Sequence, residues 1–159
     1  MFLFLAFIIP FAIYLFTVSP SPFWLDSPEL IASSHILGIP HPPGNPLYIL
    51  PAKFASLIPI GSVPFRINLL SALFGALSAA VLFLMIRGIG RERRSGGFLT
   101  DAVSFLVSTL FSVTYGIWIQ SVNAEVYTLN LFMNLTAFYM LISGHGDSRR
   151  AIAAFFIFG

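Results

Sequence analysis

The sequence predicts an all-α fold, a polytopic bundle of transmembrane helices, and three observations predict it. Of 159 residues 57% are apolar and 9% charged, whereas a water-soluble domain carries about 25% charged residues. Residues 67–86 form a run of 20 without a charge, bounded by Arg66 and Arg87, and about 20 apolar residues span a bilayer as a helix. The basic residues gather in short clusters at the ends of apolar runs. Eight Lys and Arg against six Asp and Glu leave a net charge of +2, too small an excess for a nucleic-acid partner. The chain has no cysteine, which excludes disulfides, thiolate metal sites and cysteine nucleophiles.

Residues 2–18 carry one proline and no charge, and Ser19-Pro-Ser-Pro22 ends the run by removing amide donors. No basic residue precedes it and no small-x-small cleavage site follows, so a retained first span is expected rather than a signal peptide. Residues 47–60 are apolar but interrupted by Pro51, Lys53 and Pro59. Their seven Leu, Ile or Phe residues supply roughly −3 kcal/mol of insertion energy and a central lysine costs about +2.5 to +3.5. This predicts an interfacial or partly re-entrant helix rather than a span.

The run 67–86 contains 11 Leu, Ile, Val or Phe residues and should insert unaided. Its small residues Ser71, Ala72, Gly75, Ala76 and Ala79 form a close-packing face. Spans at about 102–119 and 126–142, joined by polar residues 120–125, predict a helical hairpin. Arg87, Arg91, Arg93 and Arg94 precede the hairpin and Arg149 and Arg150 follow it, so both clusters fall on one face, cytoplasmic by the positive-inside rule. The tip holding Glu125 is then outside. If 47–60 does not span, residues 19–65 are one extracytoplasmic loop on the same face. Residues 151–159 start another apolar run, and the 1–159 module reads as an amino-terminal fragment.

Acidic residues are scarce enough to consider singly. Glu92, Asp101 and Asp147 lie among arginines or at a cytoplasmic helix end, where pairing or solvation accounts for them. Asp26, Glu29 and Glu125 lie on the outside face in apolar surroundings. Asp26-Ser-Pro-Glu29 precedes a short helix expected from Pro28 to Leu37, stopping at Gly38. One reading is a helix start, with Asp26 or Ser27 capping free amides and Glu29 at the positive end of the dipole. The other is a carboxylate beside a membrane-embedded cavity acting as a general base or orienting a hydroxyl. The two are compatible, because a cap is also a rigid mount.

His41-Pro-Pro-Gly44-Asn-Pro-Leu-Tyr48 fixes an extended turn at the membrane surface, where His41 is either solvated or set to meet a phosphate. A zinc site with His35 lacks further nitrogen or sulfur ligands. Lys53 and Arg66, the cations expected outside, either snorkel toward headgroups or bind a lipid phosphate. Asn123-Ala-Glu125-Val-Tyr-Thr-Leu-Asn130 places Glu125 and Asn130 around the start of a span, where polar residues serve as helix–helix ties or as substrate contacts. Asn134-Leu-Thr136 lies within an apolar span and is discounted as a glycosylation site.

Trp24-Leu-Asp26-Ser-Pro-Glu29, Leu37-Gly-Ile-Pro-His41-Pro-Pro-Gly44 and Ala124-Glu125-Val-Tyr127-Thr-Leu-Asn130, in this order around a Ser-Ala-Leu-Phe-Gly-Ala span, resemble the amino-terminal module of membrane glycosyltransferases of the C-type (GT-C) fold. The likeness is to a domain-of-unknown-function family associated with protein O-mannosyl transfer. The resemblance implies transfer of a mannose-like sugar from a polyprenyl-phosphate donor to a protein or glycan hydroxyl on the extracytoplasmic side. It implies Asp26 as base or acceptor-orienting group, Glu29 as its supporting carboxylate, and His41, Lys53 and Arg66 as donor-phosphate contacts. Related mannosyltransferases have adjacent Asp and Glu, whereas two residues intervene here. No cofactor is expected beyond a divalent metal ion of the kind some C-type enzymes use. The bilayer is a partner, and a bacterial-type plasma membrane is expected rather than the endoplasmic reticulum. Two other classes stand beside this one: a transporter or flippase, suggested by Asn68, Asn130 and Asn134, and a non-catalytic packing fragment.

Overall fold

The computed structural model describes residues 1–23, 25–92, 97–143 and 148–158. Trp24 of the first motif, Arg93, Arg94 and Asp147 lie outside the described residues, as do the side chains of Arg91 and Glu92. The described residues form eight helices and no strand: α1 (Phe2–Thr17), α2 (Ser27–Ile36), α3 (Pro46–Leu57), α4 (Val63–Glu92), α5 (Phe98–Ser112), α6 (Tyr115–Ser121), α7 (Tyr127–Ser143) and α8 (Ser148–Phe158).

The charge-free run lies inside α4, the hub of the bundle, which packs against α1, α3, α5, α6 and α7. Its stretch Val63–Gly90 is 28 residues, roughly 42 Å at 1.5 Å per residue and more than the ~30 Å hydrocarbon core. It is the one described helix long and apolar enough to cross a membrane, or one of two if the bent pair α5–α6 counts as a single span. Together with the composition, this helix makes the chain a membrane protein. The small-residue stripe is what lets neighbours approach: Ser71, Ala72, Ala76 and Ala79 are fully buried.

A single helix is expected over 102–119, and the structure instead bends by 68° between α5 and α6. The cause is local. Ser112 Oγ donates to the Thr109 carbonyl and Thr114 Oγ1 to that of Phe111, each at 2.7 Å, so side chains compete with the backbone ladder. Thr114 turns extended (φ −60°, ψ 143°). The freed Ser112 carbonyl accepts the Tyr14 hydroxyl at 2.7 Å, so the break leaves it satisfied.

The two ends of the bundle are distinct. At one, Arg87 meets Asp101 in a bidentate pair at 2.6 and 3.1 Å, and Phe2 packs edge-on against Phe98. At the other, Trp118 Nε1 donates to Thr17 Oγ1 at 3.0 Å, the Ser19 amide to the Val122 carbonyl at 3.0 Å, and the Asn68 amide to the Ser19 carbonyl at 2.8 Å. Helices α2 and α3 belong to this second end. The Tyr48 and Ser71 hydroxyls are 3.0 Å apart, while Arg66 Nη1 reaches the Ser56 carbonyl at 2.6 Å. α3 therefore lies beside the first turns of α4. Its 12 residues reach only about 18 Å. A core of Leu30, Ile31, Tyr48, Ile49, Ala52, Ile67 and Ala124 joins α2 and α3 to α4 and to the α6–α7 connection, while Leu47, Leu50, Phe54 and Leu57 face outward.

Candidate active site

Asp26 stands at the N-cap of α2 but does not cap it. Its backbone is right-handed (φ −82°, ψ −9°) and its carboxylate makes no capping bond; the Ser27 hydroxyl is buried without a partner. The helix-start role expected of these two side chains is thus corrected. With Asp26 already turned into the helix, its side chain does not fold back over the first amides. It faces the imidazole instead, with Oδ2 at 3.9 Å from His41 Nε2.

Glu29, in the first turn of α2, holds the loop that follows the helix. Its Oε1 accepts the His41 amide and its Oε2 meets His41 Nδ1, both at 2.7 Å. Two turns of chain make this possible. Leu37 is left-handed (φ 55°) and the Gly38 amide donates to the Ser33 carbonyl at 2.8 Å, closing α2 one residue short of Leu37. The Gly44 amide then bonds the His41 carbonyl at 3.0 Å, with Gly44 at φ 83°, and Pro46 starts α3 in the first-turn position proline suits.

The bond to Glu29, then its charge, raises the His41 pKa above the ordinary imidazole range, and the same bond lowers that of Glu29. The signs define a window. The stabilisation carried by the raised histidine is present below its ordinary value and lost as pH rises through its folded value. That carried by the depressed glutamate is present above its ordinary value and lost as pH falls through its folded value. The loop is therefore held across the interval between the two. NMR titration of the His41 ring should give a midpoint above about 6.5, and Glu29→Gln should return it toward that value. An unchanged midpoint in the variant would remove Glu29 as the cause.

Glu125 comes to the same end from the α6–α7 connection. It is 4% exposed, and its pKa is pushed up to about 7, first by burial and then by the negative charge of Asp26, with His41 acting in opposition. Ser71 on α4 fixes it, its hydroxyl donating to the Glu125 carbonyl at 3.3 Å and accepting the Glu125 amide at 3.2 Å. With its one proton committed there, Ser71 accepts from Tyr48. Ser71 and Tyr48 are supports that sequence reasoning missed; the available signal was a hydroxyl inside an apolar span. Ser71→Ala should cost about 1–3 kcal/mol of stability by orphaning buried groups, seen as a lower unfolding temperature in detergent. An unshifted transition would remove Ser71 from that role.

Not every expected residue joins the cluster. Lys53 Nζ donates to the His35 carbonyl at 2.6 Å in the last turn of α2. Arg66 donates to the carbonyls of Ser56, Ser62 and Gly61 around the end of α3. Both cations serve helix C-termini, where carbonyls carry negative partial charge. Asn130 lines a cavity of about 330 Å³ between α3 and α7, with Pro43, Asn45, Tyr48, Leu129 and Met133, and its carbonyl accepts the Asn134 amide at 2.8 Å. Both ring nitrogens of His41 already face carboxylates, so the imidazole is not presented as a ligand. Among the described residues, no group of three or more His, Cys, Asp or Glu side chains could hold a metal ion.

Comparison with known proteins adds three findings. The family described as "Protein O-mannosyl-transferase TMEM260 N-terminal domain" matches residues 26–158. A Mus musculus protein named "Protein O-mannosyl-transferase TMEM260" is 44% identical over 112 residues, covering 69% of this chain and 15% of that protein. A Dictyostelium discoideum protein named "Protein O-mannosyl-transferase tmem260" is 31% identical over 121 residues, covering 74% of this chain and 14% of that protein. The chain thus spans about one seventh of the length of these relatives. No solved structure matches it. The motif residues Asp26, Glu29, His41 and Glu125 all fall inside the matched segment, and the chain belongs to the family of protein O-mannosyl-transferase TMEM260 N-terminal domains.

Proposed function

We propose that this chain supplies the acid-bearing part of a glycosyltransferase that moves mannose from a polyprenyl-phosphate carrier to a hydroxyl of a protein. The observation that carries it is the gathering of Asp26, Glu29, His41 and Glu125 at one end of an apolar bundle, beside the cavity between α3 and α7. The names of the two relatives point the same way. In this chemistry the acceptor oxygen bonds to the anomeric carbon as the bond from that carbon to phosphate breaks. Asp26 takes the hydroxyl proton, and its carboxylate is free to do so because it caps nothing. Glu29 holds His41, which is the nearest cationic group for the departing phosphate. Lys53 and Arg66 enter as the supports that hold α2 and α3 in place.

The proposed arrangement is multi-pass, with α1, α4, α5–α6 and α7 in the membrane and the acid cluster on the extracytoplasmic face. The arginine pair with Asp101 at the opposite end supports that orientation. Of the asparagines that suggested a transporter, Asn68 ties α4 to the Ser19 carbonyl, whereas Asn134 bonds back to the Asn130 carbonyl within α7. The test is Asp26→Asn in the complete protein, assayed for mannose transfer from a polyprenyl-phosphate donor to a peptide. Unchanged turnover would refute the assignment.

A further inference from the structure

A second cleft, of about 210 Å³, lies between α1, α3 and α4. Phe11 of α1, Ala55 and Ile58 at the end of α3, and Leu69 and Leu73 of α4 wall it, and Arg66 belongs to the same lining. Arg66 immediately precedes the charge-free run of α4, so it stands at the boundary of the apolar layer. Leu73 is seven residues further on, roughly 10 Å deeper. The cleft is therefore cationic at the boundary and apolar below it. At 3.6 residues per turn, Arg66, Leu69 and Leu73 share one side of α4, while Ser71 and Gly75 fall on the opposite one, where they meet Glu125 and α6. The cleft thus lies on the side of α4 away from the acid cluster.

The guanidinium is held in place there. Its Nε, Nη1 and Nη2 donate to the carbonyls of Ser62, Ser56 and Gly61 at 3.3, 2.6 and 3.3 Å, so the side chain does not snorkel away from the cleft. Arginine has five N–H groups, and these bonds leave one on each Nη, a pair able to take two oxygens of one phosphate. The three carbonyls carry only partial charge, and among the described residues no carboxylate pairs with Arg66. We propose that the cleft holds one phospholipid of the bilayer, with its phosphodiester on Arg66 and an acyl chain lying along Leu69 and Leu73. A phospholipid has the same order as the cleft, an anion at the boundary and hydrocarbon beneath it. The polyprenyl-phosphate donor is not the occupant, because its phosphate has to reach the acid cluster on the other side of α4. Seated in this way, the lipid bridges α1 and the end of α3.

Native mass spectrometry of the complete protein tests this without any turnover. The protein is purified in detergent, stripped of lipid and titrated with phosphatidylglycerol. The wild type should hold one phosphatidylglycerol that Arg66→Gln and Leu73→Trp each bind about tenfold more weakly, the loss expected when a charged hydrogen-bond partner or the room for the chain is removed. Dioleoylglycerol, which has the hydrocarbon and no phosphate, should not take its place. Leu73→Trp fills the cleft and leaves Arg66 on its three carbonyls, so it decides the matter even where loss of the guanidinium unsettles the fold. Undiminished binding of phosphatidylglycerol by Leu73→Trp, or by folded Arg66→Gln, overturns the site. Dioleoylglycerol held as tightly as phosphatidylglycerol overturns the role of Arg66 as a phosphate anchor. A polyprenyl phosphate that displaces phosphatidylglycerol from the wild type, and depends on the same two residues, overturns the bilayer as source and makes Arg66 a donor contact.

Discussion

Asp26→Asn in the complete protein should lower mannose transfer about 10²- to 10⁴-fold, the range that a positioned acid–base group contributes, with little change in the KM for the lipid donor. The expectation rests on what the side chain does not do. It makes no cap on α2, and it meets His41 only across 3.9 Å at a half-exposed position, so the isosteric amide should leave the helix and the loop as they are. The loop is held by Glu29, through two bonds of 2.7 Å to His41. Glu29→Gln is therefore the control: it frees the loop and should raise KM while the Asp26 chemistry persists. Equal thermal unfolding of wild type and Asp26→Asn, together with the loss of kcat, would separate chemistry from folding. Retained kcat would show that the proton goes elsewhere.

The parts of this arrangement that the sequence discloses are those with a local cause. The charge-free run of α4 is read from composition alone. The limits of α2 follow from Pro28 and Gly38, because proline and glycine act on the backbone of their own neighbourhood, and the segment expected over 47–60 is found as α3, Pro46–Leu57. The break after Ser112 is hidden because hydroxyls inside an apolar helix read as neutral, and only their commitment to the Thr109 and Phe111 carbonyls turns them into breakers. In the site, the bond from Glu29 to His41 spans 12 positions and that from Ser71 to Glu125 spans 54, so neither can be derived from spacing. Lys53 and Arg66 illustrate the reverse problem. A lone cation in an apolar loop reads as a snorkelling group or a phosphate contact, and its bond to a helix-end carbonyl becomes visible only from the three-dimensional path of α2 and α3.

The second large effect is expected at Gly75, where two glycines of one helix should respond with opposite sign. Replacing glycine by alanine within a helix gains about 1 kcal/mol of propensity. At Gly88 nothing lies within 4 Å of an added Cβ, so Gly88→Ala should stabilise by roughly that amount. At Gly75 the same carbon would overlap the Ser121 hydroxyl and come to 3.0 Å from both Ser121 Cβ and the Tyr14 ring. Neither neighbour has room to yield. Tyr14 is fully buried, with its hydroxyl on the Ser112 carbonyl, and Ser121 is tied to the Ile117 carbonyl at 2.8 Å. Overpacking of this kind costs about 1–3 kcal/mol and grows with side-chain size. Gly75→Ala should thus be destabilising despite its propensity, and Gly75→Val should lose about 3 kcal/mol, both read as thermal unfolding in detergent micelles. Pushing α6 away from α4 also moves the connection that carries Glu125 four residues on, so transfer should fall with stability. Stabilisation by Gly75→Ala equal to that by Gly88→Ala would mean that α4 does not meet α1 and α6 at this level, and the placement of the Glu125 connection against α4 would lose part of its mechanical basis.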